Sequence, residues 1–390
     1  MLNVTKLLCG IEQPMDHHRY GTGAQAPKSA ADRKPVVVWN VTRTCNLRCI
    51  HCYSDSAAQS YEGELNHVQA RALLKDLADF GVPAVLLSGG EPLARPDILE
   101  LAAYARDLGL KLTLSTNGTL INPFRASRIR NLGFTYVGIS IDGIGSVNDY
   151  FRGREGAFDR AVQGIRNCKA VGQKVGLRLT LTPHNVRDLE AIFDFIEVEG
   201  IERACFYHLV PAGRGRGETA LSHAESRRAV DIIFRRTREL AEKGDPREIL
   251  TVDNHADGAY LYLTLTQTDP AAARHAYELL AWNGGGRYSS GVGIADIDTQ
   301  GNVHPDQFWQ SATLGNVKGR RFSEIWTDPQ NELLAALRDR LPHLHGRCAT
   351  CRFLPLCGGN FRVRALAATG DMWAPDPACY LTDAEIAKSA

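Results

Sequence analysis

The spacing Cys45-x3-Cys49-x2-Cys52 constrains this chain more than any other feature of its sequence. The three cysteines directly follow the apolar, β-branched run 35–39, so we expect their thiols on a loop at the end of a strand. Three thiolates on so short a loop can hold three irons of a cubane cluster and leave the fourth iron open to a small molecule. The alternative is a zinc knuckle, but structural zinc takes four ligands. His51 could be the fourth, yet it lies too close to Cys52 for easy tetrahedral chelation.

The length and composition indicate a cytoplasmic, oxygen-sensitive protein. A chain of 390 residues is expected to form one large and one small domain. The formal net charge of +1 provides no field for nucleic acid or an anionic membrane, so we expect neither partner. No stretch has the apolar core of a secretory signal or the ~20 apolar residues of a membrane span. Ten cysteines, seven of them in two clusters, are typical of metal-binding thiols in a reducing compartment.

Strand and helix patterns alternate from about residue 35 to residue 212. Helical patterns lie at Val68–Phe80, after Asp97 and from Pro123. The predicted strands are Val36–Val41, Ala84–Leu87, Leu112–Ser115, Tyr136–Ile141, Val175–Leu181 and Ala204–Val210. This alternation predicts parallel βαβ units of an α/β fold. Short loops after six strands favour a partial (β/α)6 TIM-like barrel over a flat doubly wound sheet, although periodicity does not separate the two.

Polar segments follow the strands, where the chemistry of such folds gathers. The second strand is followed by Ser88–Pro92, in which two glycines permit close backbone approach and Glu91 offers an acceptor to an ammonium group. The third and fourth strands end in 115–118 (Ser-Thr-Asn-Gly) and 140–143 (Ser-Ile-Asp-Gly), with groups suited to a ribose. Arg178 on the fifth strand can pair with a carboxylate. Each motif alone is weak, but their order after the cysteine loop predicts a small-molecule site.

In these motifs the sequence resembles the radical S-adenosylmethionine (SAM) superfamily over nearly the whole chain. The resemblance implies that Cys45, Cys49 and Cys52 hold the catalytic [4Fe–4S] cluster. It implies SAM contacts by His51, Gly89, Gly90, Glu91, Asn117, Ser140, Asp142, Arg178, Leu209 and Val210. Among these, the Gly-Gly-Glu motif receives the methionine amino group, Arg178 its carboxylate, and Leu209 the adenine. The implied reaction takes one electron from a donor such as ferredoxin or flavodoxin and yields a 5′-deoxyadenosyl radical that abstracts a hydrogen atom.

A second group of cysteines lies near the C-terminal end. Its members are Cys348, Cys351, Cys357 and Cys379. Four thiolates with this spread suit a zinc ribbon or a second Fe–S cluster. The spacing resembles the SPASM/Twitch extension of radical SAM enzymes, which implies one auxiliary [4Fe–4S] cluster. Asp306 stands where a complete SPASM domain has a further cysteine, so it is either an unusual ligand or a group beside the cluster or substrate.

Further stretches resemble the radical SAM enzymes that modify siroheme-derived tetrapyrroles. These stretches are Thr5–Gly10, 19–21, 35–40, Phe206–Val210, Asp253–Gly258 and His304–Trp309. Within this branch the resemblance implies removal of the two acetate side chains of 12,18-didecarboxysiroheme, which gives Fe-coproporphyrin III in heme biosynthesis. Two other reactions of the branch stay open: formation of the dioxo-isobacteriochlorin heme of nitrite reductase, and propionate decarboxylation of Fe-coproporphyrin III.

An iron tetrapyrrole with several carboxylates is expected to require arginines and an axial imidazole. The arginines in loops at the expected mouth of the barrel are Arg152, Arg154, Arg214 and Arg216. The histidines available to the iron are His17, His18, His208 and His255, and Asp306 is a further substrate candidate. For each arginine a solvated surface position is the alternative, and for each histidine a structural role.

We expect four regions: an N-terminal extension (1–34), the barrel (35–217), a helical bridge (218–285) and a SPASM/Twitch-like domain (286–390). Gly284–Gly286 suggests a flexible joint, and the bridge is expected to contribute 253–257 to the pocket wall. A peptide-modifying radical SAM enzyme would share both clusters, but such enzymes often carry a leader-binding domain larger than the extension here. A non-enzymatic Fe–S sensor would not explain the polar strand ends.

Overall fold

The computed structural model describes residues 1–21, 29–30 and 33–387. Its strands are β1 (Leu2–Asn3), β2 (Val36–Asn40), β3 (Val85–Ser88), β4 (Leu112–Thr116), β5 (Tyr136–Ser140), β6 (Val175–Leu181), β7 (Arg203–His208), β8 (Glu248–Val252), β9 (Ile294–Ile297), β10 (Asn302–His304) and β11 (Gly315–Asn316). Its helices are α1 (Val4–Cys9), α2 (Asp16–Tyr20), α3 (His67–Phe80), α4 (Ile98–Asp107), α5 (Pro123–Asn131), α6 (Ser146–Arg152), α7 (Ala157–Ala170), α8 (Leu189–Val198), α9 (His223–Glu242), α10 (Ala256–Thr268), α11 (Pro270–Asn283), α12 (Phe322–Trp326), α13 (Glu332–Arg338), α14 (Leu354–Cys357), α15 (Arg362–Thr369) and α16 (Asp383–Ile386).

The described strands form one sheet in the order β1-β8-β7-β6-β5-β4-β3-β2-β9-β10-β11. Strands β2 to β8 lie side by side in chain order, and every neighbouring pair is parallel. Strand β9 is parallel to β2 on the other side, whereas β1, β10 and β11 pair antiparallel at the two edges. The order is linear, so among the described residues no pairing closes the sheet into a ring.

The six predicted strands are confirmed as β2 to β7, with ends that differ by no more than two residues. The region predicted as a helical bridge needs correction, because it also contributes β8. The first residue of β8, Glu248, is 1% exposed and forms a salt bridge of 3.0 Å with Arg19. In the sequence, a charged residue at the start of a short strand looks like part of a solvated loop. The sequence does not show the distant residue that pairs with it.

The sheet curves into the predicted partial barrel. Inward-facing side chains from six successive strands line a single cavity: Val38, Leu86, Ser115, Ser140, Arg178 and Tyr207. On a flat sheet, side chains from the first and sixth of these strands would lie too far apart to share one cavity, since neighbouring strands are about 4.8 Å apart. The α/β fold with helices outside the curved sheet is therefore confirmed.

The first helices begin and end where their sequence signals indicate. Asn66 and Gln69 form a reciprocal capping box at the start of α3, and Gly81 ends that helix with φ 78°. The Asn122 side chain accepts the N–H of Arg125 at the start of α5. In the described part of the chain, no helix combines the length and the hydropathy needed to cross a membrane.

The C-terminal residues pack over the carboxyl ends of the strands. One apolar cluster joins the loop after β7 to this part of the chain: Val210, Trp309, Leu337, Phe361 and Val363. The predicted flexible joint at Gly284–Gly286 is not a joint in the structure. A Cβ on Gly286 would lie 2.2 Å from the carbonyl oxygen of Asn360, so the glycines permit backbone segments to pack closely.

Candidate functional site

A cavity lies at the carboxyl ends of the parallel strands, where the small-molecule sites of such folds are found. The predicted site residues that line it are Cys45, Cys49, His51, Cys52, Gly89, Gly90, Asn117, Ser140, Asp142, Arg152, Arg178, His208, Leu209, Val210 and Arg214. The predicted residues that do not line it are His17, His18, Glu91, Arg154, Arg216, His255 and Asp306. Most of the predicted SAM contacts therefore converge, whereas most of the predicted substrate contacts do not.

Each thiol of the cysteine loop receives hydrogen-bond donors. The N–H of Leu47 lies 3.4 Å from Sγ of Cys45, and the N–H of Ser56 lies 3.4 Å from Sγ of Cys52. The guanidinium of Arg152 lies 3.5 Å from Sγ of Cys49. Burial raises the pKa of Cys45 to about 12, so the thiol is neutral until a metal binds and releases its proton. Donors directed at all three sulfurs suit thiolates of a cluster.

Arg152 also forms a buried ion pair with Asp142, at 7% and 2% side-chain exposure. Asp142 accepts a further hydrogen bond of 2.7 Å from the N–H of Thr180, and Nε2 of His51 lies 3.3 Å away. Although burial opposes it, the charge of Arg152 and the contact with His51 lower the pKa of Asp142 to about 2. The guanidinium of Arg152 is thus held between Asp142 and Cys49, and its contact with a substrate carboxylate stays a prediction.

Two other predicted substrate arginines also hold the cysteine loop. Arg214 donates to the carbonyl oxygen of Cys49 at 2.8 Å, to the carbonyl of Ser56 at 2.8 Å and to Asp55 at 2.7 Å. Arg154 donates to the carbonyl of Asn46 at 3.2 Å. The donors of Arg214 and Arg154 therefore face the cysteine loop, and the substrate role of these arginines stays a prediction.

Gly89 and Gly90 let β3 end directly against the cysteine loop. A Cβ on Gly89 would lie 2.4 Å from the carbonyl oxygen of Thr42, and one on Gly90 would lie 2.4 Å from that of Thr44. Gly89 also has φ 124°, which side chains rarely adopt. The glycines are required by this backbone contact and leave their own backbone on the cavity wall.

Glu91 is fully buried and is not among the residues that line the cavity, and its contact with the methionine amino group stays a prediction. Its carboxylate accepts the N–H of Leu93 at 3.0 Å, the hydroxyl of Thr116 at 2.7 Å and the N–H of Asn117 at 2.8 Å. Burial raises the pKa of Glu91, and these hydrogen bonds oppose that rise. Glu91 therefore fixes the end of β4 beside the cysteine loop.

The side chains of two other predicted SAM contacts, Asn117 and Arg178, differ in whether their hydrogen-bonding groups already have partners in the protein. The Asn117 side chain donates to Asn46 at 2.9 Å and accepts from Thr119, so it is already bonded within the protein. Arg178 lies with its guanidinium carbon 4.8 Å from the ring centroid of Tyr207 and faces the cavity. Its N–H donors make no hydrogen bond among the described residues, which leaves them for a ligand carboxylate.

Comparison with known proteins agrees with this geometry. Residues 39–196 match the family model described as the Radical SAM superfamily. The Fe-coproporphyrin III synthase of Methanosarcina barkeri is 52% identical over 396 residues, which cover 99% of each chain. This chain belongs to the radical SAM superfamily. The pre-heme d1 synthase of Dinoroseobacter shibae is 51% identical over 359 residues, covering 90% of this radical SAM protein and 87% of the relative.

The solved structures agree with the radical SAM fold. Streptococcus suis SuiB bound to S-adenosylmethionine aligns with a TM-score of 0.71 and 18% identity, over 90% of this chain and 78% of SuiB. At this identity the likeness concerns the fold. As a radical SAM enzyme, the protein uses a [4Fe–4S] cluster and SAM, and the three thiols with their donors fit that cluster. Within residues 1–21, 29–30 and 33–387, no three His, Cys, Asp or Glu side chains are arranged to hold a single metal ion.

The four C-terminal cysteines of this radical SAM protein lie near one another. Cys348, Cys351 and Cys379 each contribute a charge effect at Cys357, whose pKa burial raises well above its usual range. The N–H of Phe353 lies 3.4 Å from Sγ of Cys351. Backbone N–H groups also bond Cys348 and Cys379. These thiols therefore have the same kind of environment as those of the first loop.

Of the predicted heme-iron ligands, the structure brings only His208 to the cavity. Its Nε2 lies 3.0 Å from Oδ2 of Asp257, and Oδ1 of Asp257 accepts the hydroxyl of Tyr380 at 2.8 Å. Histidines that bind a metal commonly donate their second ring nitrogen to a carboxylate in this way. The other nitrogen, Nδ1, is thereby left for a ligand.

The remaining substrate candidates do not line the cavity, and their contacts with a substrate stay predictions. The rings of His17 and His18 lie beside each other in α2, with centroids 3.8 Å apart and planes tilted by 43°. His255 is buried behind the cavity wall, and burial lowers its pKa well below the usual range. Asp306 is fully buried and accepts the N–H groups of Phe308 at 2.8 Å and Trp309 at 3.1 Å, so it fixes a turn. Arg216 is exposed.

The cavity residues that were not predicted as site residues include Tyr53, Tyr207, Gln307 and Phe308. The hydroxyl of Tyr53 donates to Asn40 at 2.7 Å and lies 2.9 Å from that of Ser88. Alternation along β7 could have identified Tyr207, because inward positions recur every second residue. Gln307 and Phe308 follow the turn fixed by Asp306, and only the fold shows that this turn reaches the cavity.

Proposed function

We propose that this protein removes the two acetate side chains of 12,18-didecarboxysiroheme to give Fe-coproporphyrin III. The observation that carries the proposal is the 52% identity to Fe-coproporphyrin III synthase over 99% of both chains. A match of this length includes both cysteine groups and the turn 306–309, so it extends beyond the parts that all radical SAM enzymes share. When bound, the reduced cluster and SAM supply a 5′-deoxyadenosyl radical, and the protein positions the carbon that loses hydrogen.

We propose that SAM lies between the cysteine loop and β5 to β7. The backbone of Gly89 and Gly90 receives its amino group, and Arg178 its carboxylate, since both face the cavity. Ser140 at the end of β5 is free to contact the ribose, whereas Asp142 acts through its ion pair beside Cys49. The apolar side chain of Leu209, after β7, packs against the adenine.

The tetrapyrrole is proposed to lie between this SAM site and the turn that carries Gln307 and Phe308. His208, oriented by Asp257, supplies an axial ligand to the substrate iron. Arg216 at the exposed rim is the arginine of the Gly213–Gly217 turn that stays available to a substrate carboxylate, because Arg214 is bonded to the cysteine loop.

The four C-terminal cysteines are proposed to ligate one auxiliary [4Fe–4S] cluster. Their mutual charge effects and the N–H groups directed at three of them support this assignment. Asp306 is not part of it, since its carboxylate is bonded to the turn 306–309. A small ferredoxin or flavodoxin is the expected source of low-potential electrons.

A second candidate function is the formation of the heme of nitrite reductase. It is favoured by the 51% identity to pre-heme d1 synthase, which is nearly as high as the first match. The coverage of that match is lower, at 90% of this chain against 99%. Full-length correspondence therefore favours the acetate-removing reaction.

The test is an anaerobic assay of the reconstituted protein with SAM, a reductant and 12,18-didecarboxysiroheme, in which mass and absorption spectra identify the product. Loss of two acetate units with a porphyrin-like spectrum is the expected result. Oxo-bearing products would support the second function, and deoxyadenosine without change of the tetrapyrrole would overturn the proposed substrate. Cys49→Ala should abolish all turnover. Cys9 lies in helix α1, and Cys9→Ala is the matched control, which should retain turnover.

A further inference from the structure

Asp253 occupies an unusual position at the mouth of the barrel. It directly follows β8, lines the cavity and is 8% exposed. Its φ of 65° lies in the left-handed region, where residues other than glycine are uncommon. Backbone strain of this kind persists where the surrounding structure enforces it, and it occurs preferentially at ligand sites.

One oxygen of the Asp253 carboxyl lacks a hydrogen-bond partner in the described part of the chain. This oxygen, Oδ2, is buried. Arg364 is nearby, but its donors bond the carbonyl oxygens of Asp253 and Leu209 and the carboxylate of Asp376. The guanidinium of Arg364 therefore bonds the backbone of Asp253 and pairs with the carboxylate of Asp376.

Burial is the largest effect on the Asp253 carboxyl and raises its pKa to about 6. The amino group of Met1, Arg364 on α15 and Arg178 on β6 favour the charged form, whereas Asp306 opposes it. Tyr207 on β7 is also within its field. Below about pH 6 the carboxyl is mostly protonated, and it can then donate a hydrogen bond.

A structural role does not account for these features. A buried polar group without a hydrogen bond costs about 1–3 kcal/mol, and the left-handed backbone adds to that cost. Neither is offset by a hydrogen bond of Oδ2 within the described chain. Asp253 instead lines the same cavity as His208, Gln307 and Phe308, where the tetrapyrrole is proposed to lie.

We propose that Asp253 binds a carboxyl side chain of the iron tetrapyrrole through a shared proton. The inference rests on the proposed function, since it takes the substrate to be a tetrapyrrole with several carboxylates. The protonated oxygen of Asp253 donates to the substrate carboxylate, and no covalent bond changes. Such charge-assisted O–H···O⁻ bonds are short and roughly twice as strong as neutral ones.

The test measures the dissociation constant of Fe-coproporphyrin III. The reconstituted protein is titrated with it at several pH values from 5.5 to 8.5, and binding is monitored by the absorption spectrum. For the wild type, the dissociation constant should rise up to about tenfold per pH unit above pH 6, because the acid loses its proton. Asp253→Asn keeps a neutral donor, and asparagine tolerates the left-handed backbone. The affinity of this variant for Fe-coproporphyrin III should therefore lack the pH dependence that comes from residue 253. Asp253→Gly removes the donor and should bind about tenfold more weakly at pH 5.5.

The ligand titrates in the same way with every variant, so the difference between variants isolates Asp253. Asp79→Asn is the control, since Asp79 is 61% exposed on α3 and pairs with Lys75. If the wild type binds no iron tetrapyrrole at any pH, the proposed function fails. If it binds and Asp253→Asn keeps the wild-type pH dependence, only this inference fails. A loss of SAM affinity instead would assign Asp253 to the SAM site and overturn the inference. If Asp253→Gly does not fold, the Asp253→Asn profile decides.

Discussion

Replacing Arg152 by glutamine should destabilise the protein far more than a typical arginine substitution. The change leaves Asp142 buried without its ion-pair partner, at 2% side-chain exposure. The pKa of Asp142 is about 2 against the ordinary 3.8, a difference worth about 2 kcal/mol of stabilisation of the carboxylate. Removing one partner of a buried pair typically costs about 3–5 kcal/mol. Thr180 and His51 still contact Asp142, so we expect about 3 kcal/mol, near the lower end of that range.

The measurement is urea unfolding of the anaerobically reconstituted protein, followed by tryptophan fluorescence. Arg106→Gln is the control, because Arg106 pairs with Asp107 at 48% and 64% exposure and should cost less than about 1 kcal/mol. Arg152→Lys should fall between the two, since it keeps the charge and loses the forked geometry. The spectrum of the reduced cluster should also change in Arg152→Gln, because the donor to Cys49 is lost. An unfolding free energy within 1 kcal/mol of the control would refute the reasoning.

Four further outcomes follow from the contacts of single residues. Cys379→Ala should lose about four irons per chain and retain SAM cleavage at the first cluster, as iron analysis and deoxyadenosine assays can check. His208→Ala should shift the absorption bands of the bound iron tetrapyrrole, and added imidazole should restore them. Glu91→Gln should raise the KM for SAM, since it disturbs three hydrogen bonds at the end of β4. Burial raises the pKa of Asp296 to about 8 from 3.8, so the folded state holds a proton that the unfolded state releases. The contribution of Asp296 to the unfolding free energy should therefore fall from pH 4 to pH 8, so the unfolding free energy should fall more steeply in the wild type than in Asp296→Asn.

The parallel core of the fold was predictable because each of its strands is an apolar run followed by a turn signal. Strands β8 and β9 were not, and both contain a buried acid. Glu248 in β8 is paired with Arg19, and Asp296 in β9 accepts hydrogen bonds from Asn40 at 2.9 and 3.2 Å. An acid in a short strand reads as a loop residue unless its partner is known. Those partners lie more than 200 residues away in the chain, so no local pattern reveals them.

The cofactor side of the site was predictable for a related reason. Cysteine spacing and glycines at strand ends are local signals, and the cavity brings most of these residues together. The direction in which an arginine points is not a local signal. Arg152 ends helix α6 and Arg214 lies in the turn Gly213–Gly217, and both guanidinium groups face the cysteine loop. Whether such an arginine contacts the cysteine loop or a substrate depends on how the surrounding segments pack.

The use of these arginines has a consequence for how a tetrapyrrole with several carboxylates can bind. Three thiolates on one loop concentrate negative charge, and Arg152, Arg154 and Arg214 are all directed at that loop. Arg178 is a cavity arginine whose donors remain free among the described residues, and under the proposed function SAM brings a carboxylate for it. The carboxylates of the proposed substrate are then left with Arg216 at the rim and with uncharged donors. A buried carboxyl group meets this requirement when it is protonated, because it can share a proton with a carboxylate without adding a cation beside the cluster. The side chain of Asp253, with its buried Oδ2, is in that position.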